Sequence, residues 1–220
     1  MDILQAMLER HSVRSYTDKK IDGKVKTELE KFIGECNKQS GLSMQLVTDD
    51  EKVFDTFMAH YGKFENVKNY IIVAGKKGIS NVDCGYYGEK VVIKAQQLGL
   101  NTCWVALTYG KKQVGGKIKD GERLCCVIAI GYGKTQGAFR KTKTFEQLTK
   151  THGEIPHWFK KGVDAAMLAP TAMNQQKFVF ELKDNTVRAK ALRGFYTQLD
   201  LGIVKYHFEV GAGKENFKWA

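Results

Sequence analysis

Apolar positions along the chain switch between a helical and an extended rhythm. Near the start, Ile3, Leu4, Met7 and Leu8 recur three and four residues apart, which predicts a short amphipathic helix over 2–11. A second helix is expected from about Gly23 to Cys36, with Val25, Leu29, Phe32 and Ile33 on one face and the polar run Asn37-Lys38-Gln39-Ser40-Gly41 ending it. Residues 42–48 alternate as a strand does, 51–60 read as a helix, and Tyr70-Ile71-Ile72-Val73-Ala74 is the short apolar run of a buried strand. A long helical pattern from Val82 to Leu98 carries Gly85 and Gly88 and stops at Gly99, a natural C-terminal cap. Strands follow over 101–107 and 124–130, the second being the strongest strand signal in the chain.

From Lys134 to Lys150 the sequence turns polar and basic, and apolar periodicity resumes near Trp158. The helix, loop and strand predicted over 158–182 echo those over 25–48; duplication and the ordinary recurrence of such units in α/β proteins both account for this. A last helix is expected from Gln198 to Val210, capped by Gly211. Helices alternate with strands, which makes the chain α/β or α+β.

Composition then bounds the class. At 220 residues and 24.8 kDa, with 43% hydrophobic residues and two prolines, the chain suits one compact domain over 1–220 with a core of its own. The five cysteines are an odd set without C-x-x-C, which suggests neither a disulfide framework nor a zinc site and points to a reducing compartment. His11, His60, His152, His157 and His207 show no metal-ligand spacing, so no metal is assigned. No run of 18 apolar residues and no signal-peptide pattern is present, so a cytoplasmic protein without a membrane span is expected. The formal charge of +11 admits nucleic acid, an anionic membrane or phosphorylated small molecules as partners. The lysines are scattered, with no tract of five, as on a generally basic surface.

Two segments carry candidate chemistry. Arg10-His11-Ser12-Val13-Arg14 sets two guanidiniums, an imidazole and a hydroxyl within five residues, a donor set suited to a phosphate ester, although a solvated basic turn has the same composition. Ala169-Pro170-Thr171-Ala172-Met173-Asn174-Gln175-Gln176-Lys177-Phe178 joins a helix to a strand; its small residues and amides could read the edge of a pyrimidine, or form an ordinary polar loop. Gly131-Tyr132-Gly133 follows a strand, but the glycine spacing departs from a dinucleotide fingerprint and no apolar helix opens behind it.

Taken together these segments resemble the FMN-dependent nitroreductase family. The family's first signature is similar to Arg10 through Tyr16, its Ala-Pro-Ser-x-x-Asn-x-Gln signature to Ala169 through Gln176, its Leu-Gly-Leu and Cys-Trp element to Leu98 through Trp104, and its basic pair to Lys141-Thr142-Lys143. The Ala-Pro segment, which ordinarily follows the first signature closely, here lies far downstream, as in a subgroup with a rearranged or duplicated half.

The resemblance implies an α+β nitroreductase-like fold, a central mixed sheet wrapped by helices, in a homodimer. It implies FMN as cofactor and NADH or NADPH as donor, with nitroaromatics, quinones or similar conjugated acceptors reduced by a ping-pong mechanism. Arg10, His11, Ser12 and Arg14 would contact FMN, Lys141 and Lys143 its phosphate, and the backbone of Val105, Ala106 and Leu107 its reactive face. Thr171, Asn174 and Gln176 would lie near the ring, in the same chain or a partner. No catalytic acid–base residue is implied, since the flavin carries the hydride chemistry. The alternatives are a flavin-binding sensor or store without turnover and, more remotely, a basic nucleic-acid-binding protein.

Overall fold

The computed structural model of the chain describes every residue except Gly116 and His152. Eight α-helices and eight strands are present among the described residues, and the strands form two four-stranded sheets. The chain divides into two compact units, each with a sheet of its own.

The first unit comprises Glu9–Ser80 and Lys90–Ala138. Its sheet contains β1 (Gln45–Val47), β2 (Tyr70–Lys76), β3 (Asn101–Val105) and β4 (Glu122–Gly131), in the order β1-β2-β4-β3, antiparallel throughout. The apolar run predicted at 70–74 is buried from Tyr70 to Gly75, as expected of a strand covered on both faces. Tyr70, Ile72 and Ala74 join Val13, Tyr16, Phe54, Phe64, Val105 and Val127 in the core on one side. Ile71 and Val73, also fully buried, point to the other. Helix α2 (Gly23–Ser40) runs past the polar residues expected to end it; Gly41, left-handed at φ 73°, is the terminator, and its N–H bonds the Asn37 carbonyl. Residues 51–56 form turns where a helix was predicted, and the short α3 (Phe57–Tyr61) starts only at its Thr56 cap. There the buried Val53 and Phe54 imitate a helical face. The small α5 (Lys111–Gly115) was not predicted.

The second unit is assembled from three stretches, Met1–Leu8, Asn81–Glu89 and Phe139–Ala220. The first two hold most of α1 (Ile3–Glu9) and the first half of α4 (Asn81–Gln97). On α1 the apolar pattern is a poor guide to burial: Ala6 and Met7 are buried, whereas Leu4 and Leu8 are half exposed. Two short elements in the basic stretch, α6 (Phe145–Leu148) and β5 (Thr149–Lys150), escape the hydrophobic pattern. Next come α7 (His157–Met167), β6 (Phe178–Lys183), β7 (Thr186–Ala191), α8 (Thr197–Ala212) and β8 (Lys218–Trp219). Strand order is β5-β6-β7-β8; the outer pairs are parallel and β6–β7 is a hairpin closed by Asp184-Asn185, a two-residue turn with Asp184 in the left-handed region.

The second unit's core is aromatic: Phe180 stacks on Phe208 at 4.6 Å between centroids, and Phe159, Phe217 and Trp219 close around them. Helix α8 is held at three backbone contacts that tolerate no side chain. A Cβ on Gly85 of α4 would strike the Leu199 carbonyl, one on Gly202 would strike the Val82 carbonyl, and one on Gly211 would lie 2.5 Å from the Lys161 carbonyl. Gly211 is therefore inside α8, not its cap, which is Gly213 at φ 76°. Between the same helices lies a fully buried pair. His207 donates through Nδ1 to the Ala165 carbonyl at 3.1 Å, and its Nε2 lies 2.9 Å from Glu89 Oε1. No helix among the described residues is long and apolar enough to cross a membrane.

Candidate functional site

The predicted residues fall into two sets, one in each unit. In the first unit, residues 10–17 run extended along the outer strand β3. Ser12 bridges Thr102 in parallel, and the Val13 N–H donates to the Thr102 carbonyl at 3.0 Å. On the other side, the Glu65 N–H donates to the Arg14 carbonyl at 2.9 Å, and Tyr16 returns a bond to the Glu65 carbonyl at 3.2 Å. Extended backbone turns its side chains alternately. Val13 enters the core while Ser12 and Arg14 face outward, and Tyr16, also buried, ties its hydroxyl to the Val13 carbonyl at 2.7 Å.

Three of the predicted donors act on Cys103, in the middle of β3. Burial pushes the Cys103 thiol up, and the Arg14 charge, a hydrogen bond with Ser12 and the Arg10 charge act in the opposite direction. Arg10 is itself 3% exposed, Arg14 lies 5.8 Å from the Phe64 ring centroid, and His11 is half-buried. Two residues beyond Cys103, Val105 makes the last pairing of β3, with Val127. The chain then leaves the sheet, with Ala106 half-buried and Leu107 exposed. The segment thus carries an exposed Arg14 and an exposed Ser12 together with a buried Arg10, donor types suited to a phosphate ester.

In the second unit the loop after α7 is knitted to the 141–143 segment by side chains. The Gln176 side chain accepts from the Lys143 N–H at 2.8 Å and donates to the Lys141 carbonyl at 3.0 Å. Lys143 Nζ returns a bond to the Gln176 carbonyl at 2.8 Å, and Asn174 Nδ2 reaches the Lys141 carbonyl at 2.9 Å. Thr171 Oγ1 accepts from the Gln176 N–H at 3.0 Å and closes the loop. The structure thus brings together Lys141, Lys143, Thr171, Asn174 and Gln176, five residues separated by up to 35 positions. It also divides their work: Gln176 is buried and Lys143 is spent on the loop, whereas Lys141 is exposed and Thr171 and Asn174 are half-buried.

Two supporting residues escaped sequence reasoning. Arg140 Nη2 donates to the Met167 and Ala169 carbonyls at 3.2 and 2.5 Å, fastening the end of α7. Asp200 of α8 receives the Ala172 N–H at 3.0 Å and Gln175 Nε2 at 2.9 Å. Burial raises its carboxyl to about 6 although both bonds pull the other way. An acid inside the apolar run Leu199 to Val204 was the available signal.

Among the described residues no group of three or more His, Cys, Asp or Glu side chains could hold a metal ion, and His152, one of the histidines considered above, lies outside the described residues. Among the described residues the cysteines form no disulfide.

The fold is similar to that of a putative nitroreductase from Thermotoga maritima, with 23% identity, 98% of this chain and 85% of that chain covered, and a TM-score of 0.69. Similar too are a putative nitroreductase in complex with FMN from Desulfovibrio desulfuricans (17% identity, 71% and 99% covered, TM-score 0.54) and a putative NADH oxidase from Clostridium acetobutylicum (17%, 67% and 97%, 0.52). No curated protein matches the chain. The family model described as "Putative TM nitroreductase" matches residues 2–212, and the chain belongs to that nitroreductase family.

Proposed function

We propose that the protein is an FMN-dependent oxidoreductase that takes electrons from NADH or NADPH and reduces nitroaromatics, quinones or similar conjugated acceptors in a ping-pong cycle. The observation that carries this reading is the donor set Arg10, Ser12 and Arg14 on one extended segment beside β3, all three acting on Cys103, with Ser12 and Arg14 exposed as residues. Such a donor set fits a phosphate monoester, because guanidinium binds phosphate through two parallel N–H bonds and a hydroxyl adds direction. The FMN complex of the Desulfovibrio protein, which shares the fold, supports the same cofactor.

Bound FMN would supply the hydride chemistry at its ring. Ser12 and Arg14, with Arg10, would bind and orient the phosphate end, and Lys141, in the same chain or a partner, would add positive charge. The backbone at Ala106 and Leu107, where β3 releases the chain, would lie against the reactive face. Thr171 and Asn174, in the same chain or a partner, would read the ring edge, held in place by Gln176 and Lys143. A homodimer in the cytoplasm completes the reading.

The test is the visible spectrum of the purified chain, with the released cofactor identified by mass and NAD(P)H oxidation followed with added quinone. Bound FMN with turnover is the expected result. A colourless chain that FMN leaves unshifted in melting temperature overturns the proposal, and bound FMN without NADH or NADPH oxidation reduces it to a flavin-binding protein. Arg14→Ala is expected to weaken FMN at least about tenfold, from the loss of charge-assisted bonds.

A further inference from the structure

The loop that joins α7 to β6 has an unusual backbone. Met173, Asn174 and Gln176 all adopt left-handed conformations, at φ 49°, 53° and 47°. None is glycine, and such conformations persist only where the surroundings over-determine them. Gln176, Thr171 and the 141–143 segment restrain one side of this loop, as described above. The other side is held from α8. Asp200 Oδ1 and Oδ2 lie 3.0 and 3.2 Å from the Ala172 nitrogen, and Oδ2 also receives Gln175 Nε2 at 2.9 Å. Gln175 extends the clasp by donating to the Phe195 carbonyl at 2.6 Å. Between Ala172 and Gln175 the chain bulges outward, leaving Met173 87% exposed and Asn174 half-buried.

We infer that Asp200 is the positioning residue of this loop: its buried carboxylate clasps the Ala172 amide and the Gln175 side chain and so fixes the strained conformation in which Thr171 and Asn174 meet a flavin ring. This rests on the reading given under Proposed function. Packing alone does not explain the residue. Asp200 is 3% exposed on a helix whose neighbouring positions are Leu199, Leu201 and Ile203, where an apolar residue would serve the core better. Its raised pKa reflects the same burial, opposed by the two loop bonds. The role differs from that of Arg14, which faces solvent in the other unit and is assigned to the phosphate.

That difference supplies the test. FMN and riboflavin share a ring, and only FMN has the phosphate. Dissociation constants for both are measured on the full-length wild-type chain, Asp200→Ala, Asp200→Asn and Arg14→Ala, together with hydrogen exchange at the Ala172 amide. Asp200→Ala should weaken FMN and riboflavin by the same factor, about tenfold for two charge-assisted bonds lost. It should also speed exchange at Ala172, while Arg14→Ala weakens FMN more than riboflavin. Asp200→Asn keeps an acceptor oxygen and nearly the same shape, and should show both effects in smaller degree. Wild-type flavin affinities in a folded Asp200→Ala chain, or a loss confined to FMN, overturn the inference alone. If Asp200→Ala does not fold, wild-type affinities and exchange in Asp200→Asn overturn it. A wild-type chain that binds neither flavin overturns the functional reading and this inference together.

Discussion

The segment at 10–17 and the loop at 171–176 carry the two sets of predicted residues, and they are built by opposite means. The first is extended backbone bonded to backbone on both sides, at Thr102 and Glu65; these bonds are made by the main chains of Ser12, Val13, Arg14 and Tyr16 and not by their side chains. The second has left-handed residues at three of its positions and depends on the side chains of Gln176, Lys143, Thr171 and Asp200. Main-chain pairing is indifferent to side-chain identity, so the first segment can vary its donors without losing its shape. The second cannot, because each hydrogen-bonding side chain removed frees a strained backbone.

Substitutions that disturb the supports of the two regions should therefore differ sharply in cost. The largest effect is expected from Glu89→Ala, which leaves His207 of α8 with an unpartnered buried nitrogen: a loss of about 4 kcal/mol in urea unfolding. That corresponds to a fall of roughly 10 °C in melting temperature. A loss below about 1 kcal/mol would mean that the Glu89–His207 pair contributes little to holding α8.

Asp200 comes next, through pH. Its carboxyl titrates near 3.8 when unfolded and at about 6 when folded, so between those values the folded state holds the extra proton. Stability from this group is complete below about pH 4 and is lost as pH rises through about 6, a fall of about 3 kcal/mol for a shift of roughly two units. Urea unfolding of Asp200→Asn between pH 4 and 7 should lack that fall relative to the wild type. Parallel profiles would place the titration elsewhere.

Smaller again is Gln176→Ala. It strips the Lys143 N–H and Lys141 carbonyl of a buried partner and should cost about 2 kcal/mol, with faster exchange through 141–143. Its counterpart in the first unit is Ser15→Ala, which removes an exposed bond to Glu65 and should cost less than about 0.5 kcal/mol. Equal costs for the last two would erase the distinction between the regions.

The same contrast explains what was legible in the amino-acid pattern. β2 and β4 are runs of apolar residues, and the first donor set is contiguous, so both could be read from neighbours in the chain. The second set could be named only through family resemblance, since Lys141 and Gln176 meet across a fold that no local rule anticipates. Asp200 went unread because its partner is an amide 28 positions away. Gly211 was mistaken for a cap because glycine near a helix end usually is one, whereas here close approach to the Lys161 carbonyl forbids a side chain. The helix predicted at 51–60 failed because Val53 and Phe54 are buried by turns that share helical spacing.

The three-part make-up of the second unit bears on how the protein is synthesised. Every residue of the first unit has been added once Ala138 is reached, whereas Met1–Leu8 and Asn81–Glu89 must wait for α8 and β8 at the far end of the chain. Until then Gly85 and Glu89 have no helix to meet, and the apolar faces around them are open to chaperones or to other nascent chains. The region whose geometry depends most on individual side chains is thus completed after the first unit on the ribosome.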